Sequence, residues 1–123
     1  MKLPRLLQAS SSKGVKYEQQ ALAFLKKQGL LLVCQNFYCR FGEIDLIMSD
    51  QETLVFIEVR YRKNQKYGGA TASVTPQKQK KLVKTAKHYL SLLEDEPYCR
   101  FDVIAISDKT THPQWIQDAF QEY

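Results

Sequence analysis

Apolar residues recur at helical spacing along residues 14–28, where Val15, Leu22 and Leu25 form one stripe. A glycine follows this segment, and glycine commonly ends a helix because it adopts a positive φ without strain. The pattern therefore predicts a helix over 14–28. Glu18 lies on the same apolar stripe. A carboxylate in that position is costly without a partner, which makes Glu18 a candidate functional residue.

A second helical stretch follows Thr75, a residue suited to cap a helix, with Pro76 at the first helical position. It is predicted to run to about Leu93. Lys78 lies in the first turn, where a positive charge opposes the helix dipole. Either this end of the helix faces an anion such as phosphate, or Lys78 is simply solvated, and the residues alone favour solvation. The apolar stripe consists of Leu82, Ala86, Tyr89, Leu90 and Leu93.

The remaining apolar segments have the length and composition of β-strands. They are short, rich in Val, Ile and aromatic residues, and separated by polar turns. The segment 54–61 begins apolar on both faces, as in a strand covered on both sides. A short polar turn separates it from the preceding strand at about 41–48, so the two strands are predicted to form a hairpin. The five predicted strands lie at 30–33, about 41–48, 54–61, 101–106 and 115–120.

The resulting order, α-β-β-β-α-β-β, predicts an α/β fold with a mixed central sheet flanked by helices. No internal repeat or composition break divides the chain, so residues 14–123 are predicted as one domain and residues 1–13 as a mobile basic tail. No apolar run approaches the roughly 20 residues of a membrane helix. The start of the chain lacks a convincing apolar signal segment. We therefore expect a cytoplasmic protein without a membrane partner.

Positive charge is concentrated in one part of the chain. The net charge is +5, from 18 Lys and Arg against 13 Asp and Glu. Residues 59–93 contain nine basic and no acidic residues, whereas the remainder contains nine basic and thirteen acidic residues. A segregated basic surface is typical of proteins that bind a polyanion, although a Lys-rich helix face can also serve solubility alone. The candidate nucleic-acid-binding residues in this stretch are Arg62, Lys63, Lys66, Tyr67, Lys78 and Lys81.

Tyr67 differs from the rest of this set because it is aromatic. It stands between Lys66 and Gly68 in the predicted loop that follows the third strand. An aromatic ring beside basic residues can stack on a nucleic-acid base. Packing of the ring within the loop is at least as consistent with the sequence.

Acidic residues fall on both strands of the predicted hairpin. Asp45 lies in the first strand, and Glu58 and Arg60 share one face at the end of the second. If the strands pair, Asp45 and Glu58 converge and repel each other unless a cation or a proton lies between them. Mg²⁺ or Mn²⁺ fits such a site, since Mg²⁺ binds one or two carboxylates together with water and phosphate oxygens. Structural ion pairs, such as Glu58 with Arg62 or Asp45 with Arg40, are an equally supported alternative.

Two further acidic residues lie on predicted strands. Glu43 shares a face with Asp45, and either supports a metal site or is an ordinary surface or ion-paired residue. Asp102 lies within the apolar segment 101–106. Because a buried carboxylate needs hydrogen-bond donors, we favour a structural role for Asp102.

Motifs spread over nearly the whole chain, from about residue 14 to 120, resemble the YraN family. They comprise Glu18 on the first helix, GEIDLI at 42–47, FIEVRYR at 56–62, GGA at 68–70, SVT at 73–75 with Lys78, and CRFDVI at 99–104. This family is grouped with the restriction-endonuclease-like superfamily and is similar to archaeal Holliday-junction resolvases. The resemblance implies a restriction-endonuclease-like fold and a metal-dependent nuclease of the PD-(D/E)xK type.

By this resemblance, Asp45 and Glu58 correspond to the metal-binding acids of the superfamily, and Glu18 to the helix-borne acid of the resolvase branch. All three are predicted to bind Mg²⁺ or Mn²⁺. Arg60 falls where the superfamily usually has lysine. Arginine stays protonated and cannot act as a base, but it can clamp a phosphate through two hydrogen bonds. The predicted catalytic residues are therefore Asp45, Glu58, Arg60 and Glu18.

The expected function is phosphodiester hydrolysis by a nucleic-acid-binding protein, with DNA favoured over RNA and branched DNA as a candidate substrate. By the resemblance, Gln77 and Lys78 fall near polar helix positions that some relatives add to the site, so Gln77 is also a candidate nucleic-acid-binding residue. A resolvase-like role favours a symmetric homodimer. Two alternatives stay open, and Arg60 in place of lysine favours both. One is a non-catalytic nucleic-acid-binding module with a nuclease-like fold, and the other is an adaptor whose basic face meets an acidic protein.

Overall fold

Helices and strands follow one another in the predicted order, α-β-β-β-α-β-β. The computed structural model describes residues 12–63, 74–108 and 112–121. The predicted α/β fold with a mixed sheet flanked by helices is confirmed. The elements are α1 (Ser12–Lys27), β1 (Leu31–Cys39), β2 (Gly42–Asp50), β3 (Thr53–Arg62), α2 (Pro76–Ser91), β4 (Tyr98–Ser107) and β5 (Gln114–Phe120).

The strands form one sheet in the order β1-β2-β3-β4-β5. Antiparallel pairing joins β1 to β2, β2 to β3, and β4 to β5, whereas β4 runs parallel to β3. Parallel neighbours need a crossover connection, and α2 lies in the connection between β3 and β4. The predicted hairpin of β2 and β3 is confirmed, and Asp50 pairs with Thr53 across its turn.

The two helices pack against separate apolar clusters, and β3 contributes to both. The cluster of α1 contains Leu25 and Ile57, whereas the cluster of α2 contains Leu82 and Phe56. Neighbouring residues of β3 thus point alternately into the two clusters, which confirms that this strand is covered on both faces. In the described part of the chain, neither helix has the length and apolar character needed to span a membrane.

Both helices differ from their predicted bounds. α1 begins at Ser12, inside the segment predicted as a tail, and residues 1–11 lie outside the described residues. Its first residues are polar or glycine, so the apolar stripe cannot mark this end of the helix. α2 ends at Ser91, and the next two residues, Leu92 and Leu93, are exposed. These two leucines continue the helical spacing without packing into the core, which made the predicted helix too long.

β1 is nine residues long, more than twice the predicted segment 30–33. Its register with β2 shifts between Leu32 and Cys34, and Asn36 has a φ of 52°. A bulge and a left-handed residue interrupt the simple alternation of side chains that marks a strand. The pattern therefore indicated only the first part of β1, and the unmarked part borders the site described next.

Candidate functional site

β2 and β3 separate at the position of Asp45 and Glu58. The pairing of the two strands reaches Leu46, which follows Asp45, and Ile57, which precedes Glu58. Beyond it, Asp45 Oδ2 accepts the backbone N–H of Val59 at 2.8 Å. A side-chain carboxylate thus replaces a backbone partner, and this contact fixes Asp45 at the opening between the strands.

The packing of β2 also changes at Asp45, where β2 and β3 separate. Ile44 and Leu46 would share a face in a regular strand, yet Ile44 packs into the cluster of α2 and Leu46 into the cluster of α1. The chain therefore rotates about Asp45. Asp45 thus lies at the point where the side chains of β2 change face.

Four carboxylates converge at the opening and are called the acidic cluster: Glu18, Glu43, Asp45 and Glu58. Carboxylate oxygens of Glu18, Glu43 and Asp45 lie within 4.8 Å of one another. Asp45 lies close enough to Glu58 for the charge of Glu58 to raise the pKa of Asp45, and Glu58 is 5% exposed. Of the three predicted metal-binding acids, Glu18 and Asp45 lie in this group, whereas Glu58 lies beside Asp45 and outside it. The third member of the group is Glu43, whose role the sequence left open.

Burial and crowding raise the pKa of three carboxyl groups in the acidic cluster. For Asp45, burial is the largest cause, and the negative charge of Glu58 raises the pKa further, well above its usual range. Burial likewise raises the pKa of Glu18 and of Glu43, with added repulsion from Glu43 and Glu58 respectively. Such repulsion is relieved when a proton or a cation lies among the oxygens.

Two basic residues lie beside the acidic cluster and contact Glu58. Lys78 Nζ lies 3.1 Å from Glu58 Oε2, and Arg60 Nη1 lies 3.8 Å from the same oxygen. The ion-pair alternative named Arg62 as the partner of Glu58, whereas the structure pairs Glu58 with Arg60 and Lys78. Thr75 Oγ1 accepts the backbone N–H of Lys78 at 3.1 Å, which confirms the predicted cap. Lys78 in the first turn of α2 therefore pairs with an anion, and that anion is a carboxylate of the protein itself.

Four other predicted nucleic-acid-binding residues lie in the described part of the chain, and all four are exposed. Arg62 and Lys63 lie at the end of β3, two and three residues after Arg60. Gln77 and Lys81 lie on the exposed part of α2. The predictions for Lys66 and Tyr67 fall outside the described residues.

Sequence reasoning missed Asn36 on β1. It stands opposite Asp45, between the paired residues Gln35–Leu46 and Phe37–Ile44. Its side chain hydrogen-bonds with Glu18. The only signal in the sequence was a polar residue beside apolar ones. Nothing in the pattern indicated the positive φ that turns this residue.

Comparison with known proteins gives a consistent result. Residues 17–106 match the model of a family described as Uncharacterised protein family UPF0102, and this range includes the whole acidic cluster. The chain is 70% identical to a UPF0102 protein of Psychromonas ingrahamii over 122 residues, covering 99% of this chain and 100% of that protein. It is 52% identical to one of Nitrosomonas eutropha over 116 residues, covering 94% and 99%. A UPF0102 protein of Legionella pneumophila is 47% identical over 113 residues, covering 90% and 96%.

Proposed function

This chain belongs to the Uncharacterised protein family UPF0102, which is the YraN family of the sequence resemblance, and we propose that it is a divalent-metal-dependent nuclease acting on DNA. One observation carries the proposal. Carboxylate oxygens of Glu18, Glu43 and Asp45 lie within 4.8 Å of one another at an opening in the sheet. Lys78 and Arg60 stand beside them.

The acidic cluster fits a hard divalent cation such as Mg²⁺ or Mn²⁺. Such ions prefer oxygen ligands, and the donors gathered here are carboxylates. Their mutual repulsion, visible in the raised pKa of Asp45, is a cost that a bound cation would remove. Glu18, Glu43 and Asp45 would hold the ion, with Glu58 beside them and paired with Lys78. When bound, the ion lowers the pKa of a water molecule and neutralises charge on the reacting phosphate.

Asp45 and Glu58 support this role through their fixed positions. The N–H of Val59 donates to one oxygen of Asp45 at 2.8 Å and holds the carboxylate in place. Glu58 is almost fully buried and is contacted by Lys78. Ligands restrained in this way lose little freedom when an ion or a substrate binds.

Lys78 supplies the amine that the E-x-R sequence lacks. Arg60 stays protonated and suits the binding of a phosphate group, but it cannot accept a proton from water. The Lys78 side chain is 45% exposed, and its Nζ lies 3.1 Å from Glu58 Oε2. From this position Lys78 can hold a phosphate oxygen or orient an attacking water molecule. The replacement of lysine by Arg60 therefore does not argue against catalysis.

DNA is the substrate that the charge distribution supports best. Arg62 and Lys63 extend from the end of β3, and Lys81 continues the basic surface along α2. Phosphate contacts from such residues supply most of the sequence-independent affinity for DNA. The acidic cluster would then meet a phosphate that these residues hold in place. Branched DNA, cut by a symmetric homodimer, is the substrate that the resolvase resemblance implies.

The test is a cleavage assay with Mn²⁺ on single-stranded, duplex and branched DNA and on RNA. We compare the wild type with Asp45→Asn and with Glu52→Gln, which neutralises an exposed acid in the turn of the same hairpin. Asp45→Asn should reduce the cleavage rate by about 100-fold or more, because it removes a ligand whose metal supplies several kcal/mol of transition-state stabilisation. Glu52→Gln should cut like the wild type.

Other outcomes distinguish the remaining functions. Equal cleavage by Asp45→Asn and the wild type would show that the acidic cluster is not the catalytic site. Salt-sensitive DNA binding without cleavage by the wild type would indicate a binding module that kept the nuclease-like fold. Little affinity for DNA or RNA at physiological salt would indicate a protein adaptor.

A further inference from the structure

Asn36 completes a row of polar residues across three strands. On one side of Asp45 stands Glu58 of β3, and on the other side stands Asn36 of β1. Glu18 approaches the same row from α1 and hydrogen-bonds with the side chain of Asn36. Asn36 therefore touches the acidic cluster directly, although it carries no charge.

The side chain of Asn36 is only half satisfied. Interaction with the Asn36 side chain lowers the pKa of Glu18, and toward an ionised carboxylate an asparagine can donate only through its N–H. Its carbonyl oxygen Oδ1 is buried and has no hydrogen-bond partner among the described residues. A buried acceptor without a donor is rare in folded proteins and calls for an explanation such as a bound ion or water molecule. The carbonyl oxygen of asparagine is also a good ligand for hard divalent cations.

The backbone of Asn36 explains how this side chain reaches the site. Its φ of 52° lies in the left-handed region, which asparagine adopts more readily than most residues. A regular β conformation would direct successive side chains to opposite faces of the sheet. The left-handed residue breaks that alternation next to Asp45.

We infer that Asn36 belongs to the divalent-cation site, holding Glu18 through its amide N–H and offering Oδ1 to the cation or to a water molecule bound to it. This inference rests on the proposed metal-dependent function. It assigns Asn36 a positioning role toward Glu18 and a neutral oxygen within the ligand set.

The test compares Mn²⁺ binding by calorimetry in the wild type, Asn36→Gly and Asn36→Asp. Glycine accepts the left-handed conformation freely, so Asn36→Gly removes the amide without straining β1. We expect its Mn²⁺ affinity to fall about 10- to 100-fold, the usual loss when a group that supports a metal ligand is removed. Asn36→Asp restores an oxygen at the same place and should bind Mn²⁺ more tightly than Asn36→Gly.

The matched control is Gln51→Gly. Gln51 is also an amide residue with a positive φ, 57°, but it lies in the exposed turn between β2 and β3. This variant should bind Mn²⁺ like the wild type. Thermal melting of each variant without metal shows whether the fold is intact, and an intact Asn36→Gly with lost affinity supports the inference.

Two results would overturn the inference while the proposed function stands. If Asn36→Gly binds Mn²⁺ as tightly as the wild type, Asn36 serves only the shape of β1. If Asn36→Asp binds as weakly as Asn36→Gly, an oxygen at this position is not part of the site. A wild type that binds no Mn²⁺ would instead remove both the proposed function and the role of Asn36.

Discussion

Two carboxylates on the same sheet, Asp102 and Asp45, have opposite surroundings. Asp102 on β4 is fully buried and is surrounded by donors. Its Oδ1 accepts from Arg100 Nε at 3.0 Å and from the backbone N–H of Asp118 at 2.9 Å, and its Oδ2 accepts from Trp115 Nε1 at 2.9 Å. The structural role favoured for Asp102 is confirmed.

Asp45 has the N–H of Val59 as a donor, and otherwise lies among carboxylates. Burial and the charge of Glu58 raise its pKa well above the usual range. A buried acid surrounded by donors stabilises the fold, whereas a buried acid surrounded by acids destabilises it unless a ligand intervenes. Asp102 therefore has the surroundings of a structural carboxylate. Asp45 has surroundings unfavourable to its charge, which is common for carboxylates at functional sites.

The largest difference should appear when each carboxylate is replaced by an amide. Asp102→Asn puts an amide N–H among the donors of Arg100 and Trp115, and it leaves the Arg100 charge partly uncompensated. We expect the free energy of unfolding to fall by about 3–5 kcal/mol, the usual cost of breaking a buried ion pair by removing one partner. Urea unfolding measures this change. A loss below about 1 kcal/mol, the net value of one ordinary hydrogen bond, would mean that the contacts of Asp102 contribute little to stability.

Both carboxylates could be singled out from the sequence, for different reasons. Asp102 interrupts an apolar strand, and a strand interior offers little water, so a structural role followed from burial alone. The convergence of Asp45 and Glu58 followed from the hairpin, because β3 was recognisable by its two apolar faces. Glu18 was found because it interrupts a helical stripe.

Other parts of the site depend on geometry that no local pattern encodes. Alternation along β2 put Glu43 on the face of Asp45, but it did not predict the rotation of β2 at Asp45 or whether Glu43 joins the acidic cluster. Asn36 depends on a positive φ within a strand whose second half was not recognised. Lys78 reaches Glu58 only because the crossover places the start of α2 beside β3. The sequence thus indicated the four acids and Lys78 as candidates, but not Asn36 or the contact that joins Lys78 to Glu58.

Adding metal should change the free energy of unfolding by a smaller amount. Mn²⁺ at about 100 times its dissociation constant should stabilise the wild type by about 2.7 kcal/mol if it binds only the folded state. Asp45→Asn should show little of this gain, whereas Glu52→Gln should show all of it. Thermal melting with and without Mn²⁺ measures the gain. Equal stabilisation of Asp45→Asn and the wild type would place the bound ion outside the acidic cluster.

The smallest expected effect is the difference in free energy of unfolding between Asp45→Asn and the wild type without metal. This difference tests the contrast between Asp45 and Asp102 directly. The pKa of Asp45 is raised in the folded state, so its contribution to stability is fully present below the unfolded pKa, about 3.9, and is lost as the pH rises through the folded value. The asparagine keeps an acceptor for the N–H of Val59 and removes the charge. In the presence of a metal chelator, we therefore expect the wild type and Asp45→Asn to have equal free energies of unfolding near pH 4.

At neutral pH we expect the variant to be more stable by about 1 kcal/mol, the usual gain from relieving one unfavourable group at a functional site. For a chain of this size, that gain corresponds to a rise in melting temperature of roughly 3–6 °C. Urea unfolding at several pH values between 4 and 8 measures the difference. A variant that is less stable at neutral pH, or a difference that does not change with pH, would mean that Asp45 is as well compensated as Asp102. The contrast between the two carboxylates would then carry no information about function.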